Sequence, residues 1–393
     1  MYKKLLVFCF ALILVVSLVL AGCSSTPSAT PTTPAVSKPV TTTTSAPPAP
    51  VSSSPAATQT TTAAATPTAP AQVFNLRYVT QWVETTPYFK TARAPALKEV
   101  EEKSGGRIKF TVYGGSTLGQ PADHYDIIRT GKADIGDSNT GYTPGRFNFS
   151  EIFTIPAAYS GAKTSQDLAD LVMGISESMI FKTDFTDVVP IAANQTQPFL
   201  IYTTNKQVKT LDDMKGLKLR HPGGLTSPAI TALGATPINM AMADMYTSLQ
   251  TGVIDGAVIG PSGVLSVKLQ EVLKNTTRFN MGYAYQIFAV NKDTWVKLPP
   301  DLQKIIKDAF AKIEIYEQSQ FAVDDPVIDK FLTTDRKGVT YTLPDAEAAK
   351  WITAIKPVVA KWQTDITAKN LPAEDLIKLV RTESQKRNIS FPY

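Results

Sequence analysis

Ala122-Asp123-His124-Tyr125-Asp126-Ile127-Ile128-Arg129-Thr130-Gly131-Lys132-Ala133-Asp134 and Ala243-Asp244-Met245-Tyr246-Thr247-Ser248-Leu249-Gln250-Thr251-Gly252-Val253-Ile254-Asp255 align without a gap on Ala, Asp, Tyr, an aliphatic residue, Thr, Gly and Asp. Each reads as a helix capped by Asp123 or Asp244, with its Tyr and aliphatic residue turned inward. Each helix stops at a C′ glycine and leads into a short strand. Upstream the likeness continues loosely, Gly106-Arg107-Ile108-Lys109-Phe110 against Gly216-Leu217-Lys218-Leu219-Arg220. Two copies are too few for a solenoid. They fit two related α/β lobes, with chance likeness of helix–turn–strand units as the alternative.

Outward from the first copy, Phe74 to Val79 alternates as a strand. Thr86 to Lys103 reads as a helix with Pro87 in its first turn and Ser104-Gly105-Gly106 as its stop, and Arg107 to Tyr113 is a second strand. Strand–helix–strand is the α/β signature. Two apolar runs, Pro198 to Thr204 and Tyr283 to Asn291, are the strands expected to cross between lobes. The expected fold is a two-lobed, periplasmic-binding-protein-like clamshell, each lobe a mixed sheet flanked by helices. Lobe I is expected over 73–199 plus about 285–325, and lobe II over 200–284 plus about 326–393. A long helix, Asp301 to Gln320, links them, and Pro326 is expected to stop it. Ala346 to Gln363 and Ala373 to Lys386 are further helices. Pro357 is expected to break or bend the first of these, and Trp351 and Trp362 to be core.

The N-terminus is of another kind. Lys3 and Lys4 precede an apolar run, Leu5 to Leu20, that is short for a membrane span and ends in Leu20-Ala21-Gly22-Cys23. That is the layout of a cleaved secretory signal, 1–22. It resembles a bacterial lipobox, which implies that Cys23 is lipidated and becomes the first residue. The alternative is an uncleaved anchor. Either way the rest lies outside the cytoplasmic membrane, in the periplasm or cell-wall space. Residues 23–72 are mostly Ser, Thr, Pro and Ala with the single charge of Lys38, a composition that cannot offset the entropy of ordering. They read as a lipid-anchored, disordered stalk, glycosylated or simply a spacer.

Composition narrows the function. The two cysteines are Cys9, inside the signal, and Cys23, which excludes a disulfide framework or a cysteine metal site in the folded part. Removing Lys3 and Lys4 takes the net charge from +5 to +3, and no basic cluster interleaved with aromatics points to nucleic acid. The two histidines, His124 and His221, sit in no metal spacing, and no Gly-x-Ser-x-Gly elbow, P-loop or dinucleotide fingerprint occurs. Glu99, Glu101 and Glu102 read as a solvated helix face. A binding protein without a metal or cofactor is expected over a lyase or hydrolase.

From Lys215 to Gly256 the residues become distinctive. Leu211-Asp212-Asp213-Met214-Lys215-Gly216-Leu217-Lys218-Leu219-Arg220 leads to Leu233-Gly234-Ala235-Thr236-Pro237, Asp244-Met245-Tyr246, Leu249-Gln250-Thr251-Gly252 and Asp255-Gly256. Leu118-Gly119, Gly131-Lys132-Ala133-Asp134 and Asn291-Lys292-Asp293-Thr294-Trp295 join them. Together they resemble the substrate-binding proteins of tripartite ATP-independent periplasmic (TRAP) transporters, the C4-dicarboxylate-binding (DctP-like) family. The resemblance covers the chain from about Phe74. It implies capture of an organic anion between two lobes and delivery to small and large permease subunits driven by an ion gradient. A ligand-presenting sensor or the binding protein of an ABC importer is the alternative.

In that family the arginine after Gly-x-Lys-x binds the substrate carboxylate, which here is Arg220. A guanidinium fork matches a carboxylate with two parallel hydrogen bonds; an interlobe salt bridge is the alternative. The sialic-acid branch has a polar Asn after the Asp-Gly, where this chain has Ala257-Val258-Ile259-Gly260. It has a second arginine where this chain has Phe199-Leu200-Ile201-Tyr202, and Met242 replaces an aromatic. These departures imply a more apolar pocket and a monocarboxylate with an apolar or aromatic body. Trp82 is a candidate stacking wall or core residue. Ser138 and Asn139 are candidate hydrogen-bonding or turn residues, and Tyr283 and Gln286 open the second crossing strand as further candidates. His221-Pro222-Gly223-Gly224 forms either an amide-lined anion loop or an ordinary one.

Overall fold

The computed structural model describes residues 72–393. The signal, Cys23 and the stalk up to residue 71 lie outside the described residues. Eleven strands form two sheets among the described residues. The first has the order β2-β1-β3-β10-β4, from β1 Phe74–Thr80, β2 Ile108–Gly114, β3 Ile135–Asn139, β4 Val189–Gln195 and β10 Tyr285–Val290. The second has the order β11-β9-β5-β8-β6-β7. It is built from β5 Leu200–Thr203, β6 Lys218–His221, β7 Thr236–Asn239, β8 Gly256–Ile259, β9 Asn275–Arg278 and β11 Thr340–Thr342.

The chain crosses between sheets twice. It leaves β4 of the first sheet for β5 of the second, and leaves β9 of the second for β10 of the first. Each incoming strand pairs antiparallel with both neighbours, β5 with β8 and β9, β10 with β3 and β4. The rest of each lobe is parallel around the repeated helix–turn–strand unit. The result is the expected two-lobed clamshell of mixed sheets flanked by helices.

The repeat is real but its upstream register is not the one expected. In matching order the lobes read β2-β1-β3-β10-β4 and β7-β6-β8-β5-β9, so β6 is the counterpart of β1, not of β2. Hydrogen bonds agree. Asp134 accepts from the Arg77 amide at 2.9 Å and Asp255 from the Lys218 amide at 2.8 Å. In return the Asp134 amide donates to Arg77 O and the Asp255 amide to Lys218 O. A Gly followed by alternation marks any strand after a helix stop, central or edge, so the pattern alone matched the wrong strand.

Asp123 and Asp244 do not cap. Both stand in helical backbone with no side-chain cap bond, because each helix is entered through a 3-10 turn, Pro121–Asp123 or Met242–Asp244. The glycine stops hold, with φ +72° at Gly131 and +74° at Gly252. Tyr125 is buried, but Tyr246 is half-buried and its hydroxyl donates to Glu271 at 3.0 Å.

The long helix also differs from expectation. It breaks at Ala311-Lys312, between Pro300–Phe310 and Ile313–Lys330, and runs through Pro326. Pro357 likewise sits inside an unbroken helix, Asp345–Thr367. An internal proline costs ~3 kcal/mol. Trp351, Ile355, Val359, Trp362 and Ile366 are buried along one stripe of that helix, and each contributes roughly 1.5–3 kcal/mol, enough to hold it together. The Ala373–Lys386 helix is as expected, but it packs on Ser165–Ile175 of the first lobe, and Ser390 bridges to Ser160. The tail is thus shared between lobes rather than belonging to the second alone.

Candidate binding site

Four parallel strands end at one place. β1 ends before Gln81 and Trp82, β3 ends at Asn139, β6 ends before Pro222, and β8 ends before Gly260; all five residues line one cleft. In open α/β sheets, ligands bind outside the carboxyl ends of the strands. The cleft holds about 410 Å³ of empty space, its mouth included. Trp82, Tyr88, Phe199, Met242 and Ile259 give it an apolar body, and Arg220, Asn139, Gln286, Tyr142, Thr196 and Gln197 give it polar points.

Arg220 dominates the electrostatics. β6 carries it into the interior, where it is 2% exposed. Nε donates to Met240 O at 3.1 Å, and Nη2 has no partner among the described residues. No carboxylate pairs with it among the described residues. Burial lowers its pKa, opposed by the Tyr142 hydroxyl beside it, yet a guanidinium stays charged. His221 next to it is pushed down to about 4 by burial and by that cation. It is therefore neutral, and its Nδ1 accepts from the Gly223 amide at 2.9 Å.

The buried Arg93 is the opposite case. Its Nε donates to Asp137 at 3.0 Å, its Nη1 to Glu317, and its Nη2 to Gln286 Oε1. Tyr88 also donates to Glu317. Burial disfavours the charge of Arg93, but Glu317 and Asp137 outweigh it and its pKa is raised. Glu314, on the same helix, is pushed well up by burial and then by Glu317. Asp324, further along, accepts from Ser262 of the second lobe. The Ile313–Lys330 helix is therefore tied to both lobes behind the cleft.

Of the expected site residues, Arg220, Trp82, Asn139, Met242 and Gln286 line the cleft, and two do not. Ser138 alternates to the other face of β3 from Asn139, opposite Ile287. The Tyr283 hydroxyl donates to Tyr159 O at 3.3 Å and accepts from Asn280 at 3.1 Å, inside the core. Cys23 lies outside the described residues. Tyr88, Tyr142, Gln197 and the Arg93 cluster were missed. A lone arginine between Phe89, Ala92, Ala96 and Leu97 on an otherwise apolar helix face was the available signal.

The lobes touch beside Arg220. A Cβ on Gly223, at φ +101°, would lie 1.8 Å from Gly141 O, so these loops of opposite lobes meet backbone to backbone. The Leu225 amide also donates to Thr154 Oγ1 at 2.9 Å.

With this geometry in hand, comparison with known proteins is specific. Residues 78–365 match the model of the bacterial extracellular solute-binding protein family 7, DctP. The chain belongs to this family. The family's solute-binding role and extracytoplasmic location follow for this member. It is 27% identical over 286 residues to the C4-dicarboxylate-binding periplasmic protein DctP of Rhodobacter capsulatus, covering 71% of this chain and 84% of that one. Among solved structures it resembles a TRAP solute-binding protein from Rhodoferax ferrireducens in complex with copurified benzoate. That likeness has TM-score 0.74 and 27% identity, over 80% of this chain and 99% of that one. It also resembles a marine-metagenome TRAP solute-binding protein specific for aromatic acid ligands, in complex with metahydroxyphenylacetate. Here the TM-score is 0.73 and the identity 25%, again over 80% and 99%.

Proposed function

We propose that this family member captures a monocarboxylate with an apolar or aromatic body and delivers it to the small and large permease subunits of a TRAP transporter. It acts as a receptor and not as an enzyme, and Cys23 carries the lipid that holds it, through the 23–72 stalk, to the membrane. One observation carries the ligand reading: the buried guanidinium of Arg220, with no carboxylate partner and an unpartnered Nη2 among the described residues, lines a cleft walled by Trp82, Tyr88, Phe199, Met242 and Ile259. An uncompensated buried cation is costly, and a carboxylate is the partner that fits its fork. Asn139, Gln286 and Met242 contribute the remaining contacts. The likeness to a benzoate-bound structure supports the aromatic body.

The test is thermal denaturation against a panel of aromatic monocarboxylates, C4-dicarboxylates and sugar acids, with Arg220→Ala as control. A ligand at 100 times its Kd adds ~2.7 kcal/mol of stability. The expected result is a shift with aromatic monocarboxylates that Arg220→Ala removes. Strong shifts with dicarboxylates instead, or a shift that survives the substitution, would refute the reading.

A further inference from the structure

The most buried polar side chains around the cleft share one property: what they have left to offer is protons. The indole N–H of Trp82, a residue 6% exposed, has no acceptor among the described residues, and neither has Arg220 Nη2. Asn139 and Gln286 stand directly opposite each other on β3 and β10, and their amide orientations are set by their partners. Asn139 Oδ1 accepts from the Gly141 amide at 2.9 Å, and Gln286 Oε1 accepts from Arg93. Both partners are donors only, so they hold the amide oxygens and leave the NH2 groups free. Arg93 cannot relax this arrangement, because Asp137 and Glu317 fix its other nitrogens. The acceptors nearby are already used. Gln197 Oε1 takes the Ser262 amide at 2.8 Å, and Thr196 Oγ1 takes the Ala284 amide at 2.9 Å. The Tyr142 hydroxyl oxygen faces the Arg220 guanidinium. Gln81, half-buried in the same lining, has no side-chain hydrogen bond among the described residues and can donate or accept.

We infer that the ligand carries a second oxygen that accepts but has no proton to place, an oxo group next to or near the carboxylate, and that Trp82 and Gln286 select for it. Arg93 is the positioning residue that turns the Gln286 amide nitrogen toward the ligand. This rests on the monocarboxylate reading above. A 2-oxo acid with an aromatic body offers these donors an acceptor beyond its carboxylate and brings no proton of its own. The matching 2-hydroxy acid brings a hydroxyl proton into a lining whose buried side-chain acceptors, Gln197 Oε1 and Thr196 Oγ1, each already take a donor, and the acid without the oxygen leaves buried donors orphaned, which is the costlier error.

Three acids of nearly equal size separate the cases: phenylglyoxylate, mandelate and phenylacetate, titrated calorimetrically into the protein. Phenylglyoxylate is expected to bind about tenfold or more tightly than either of the others, the worth of one buried hydrogen bond. Trp82→Phe keeps the aromatic face and removes the donor, so it should narrow the ratio of phenylglyoxylate to phenylacetate affinity. Equal binding of the three, tighter mandelate, or a ratio unchanged in Trp82→Phe overturns the inference and leaves the acid-receptor reading intact. Binding of none of them, at concentrations where other carboxylates bind, overturns both the oxo-acid inference and the aromatic body.

Discussion

Replacing Arg220 by Met is the most informative single change. The side chain is 2% exposed, its Nη2 lacks a protein partner, and it has no carboxylate neighbour among the described residues, so its pairing energy resides in the ligand. Removing one member of a buried charge pair costs about 3–5 kcal/mol, because the other charge stays buried and unpaired. At about 1.4 kcal/mol per decade, that is a rise in Kd of roughly 150- to 5,000-fold. Met keeps most of the volume, so lost packing contributes little. Arg220→Lys keeps the charge but not the fork and should fall between. The assay is isothermal titration with the tightest carboxylate that the native protein binds. A loss under tenfold in Arg220→Met would show that the ligand's charge is held elsewhere and would refute the argument from burial.

Other perturbations have equally definite outcomes. Gly223→Ala places a methyl group where Gly141 O of the other lobe stands, at a φ of +101°; it should hold the cleft ajar and weaken binding at least tenfold. Small-angle scattering with ligand should then show the native protein contracting and the variant failing to. Arg93→Met strands Asp137 and Glu317, both buried, and should lower unfolding free energy by about 3–5 kcal/mol in urea titrations. Burial, then the neighbouring Asp184 carboxylate, push the Glu151 carboxyl up to about 7. A raised acid pKa means that the folded state holds the proton longer than the unfolded one. That contribution, at most about 3 kcal/mol, is therefore present below pH ~4.5 and lost as pH rises toward about 7. Glu151→Gln should flatten that slope in pH-dependent melts.

How much of this was legible in the sequence differs by feature. The repeat over residues 122–134 and 243–255 was, because glycine stops and the Asp that pins the next strand are local requirements; Asp134 and Asp255 meet equivalent amides. The register of the flanking strands was not, since alternation says nothing about who pairs with whom. The stop expected at Pro326 and a break at Pro357 failed for a related reason: a proline's local cost is fixed, but the buried packing that offsets it is tertiary. At the site, Arg220 could be named from the family resemblance and Trp82 from its place after a strand. Ser138 failed on a one-residue question of facing, which period-2 alternation leaves open until the register is known, and Tyr283, which precedes β10, is held in the core by Asn280 and Tyr159. The Arg93 cluster was least legible. Its partners lie 44, 193 and 224 residues away, and Glu317 alone looks like one more charge on a helix.

The most direct test of the account is a crystal structure of the protein with the tightest aromatic monocarboxylate from the panel. The account predicts both carboxylate oxygens on the Arg220 guanidinium, the ring among Trp82, Tyr88 and Met242, and any second ligand oxygen within hydrogen-bond reach of Trp82 Nε1 or the Gln286 amide nitrogen. A carboxylate bound away from Arg220, or a ligand seated outside this cleft, would contradict it.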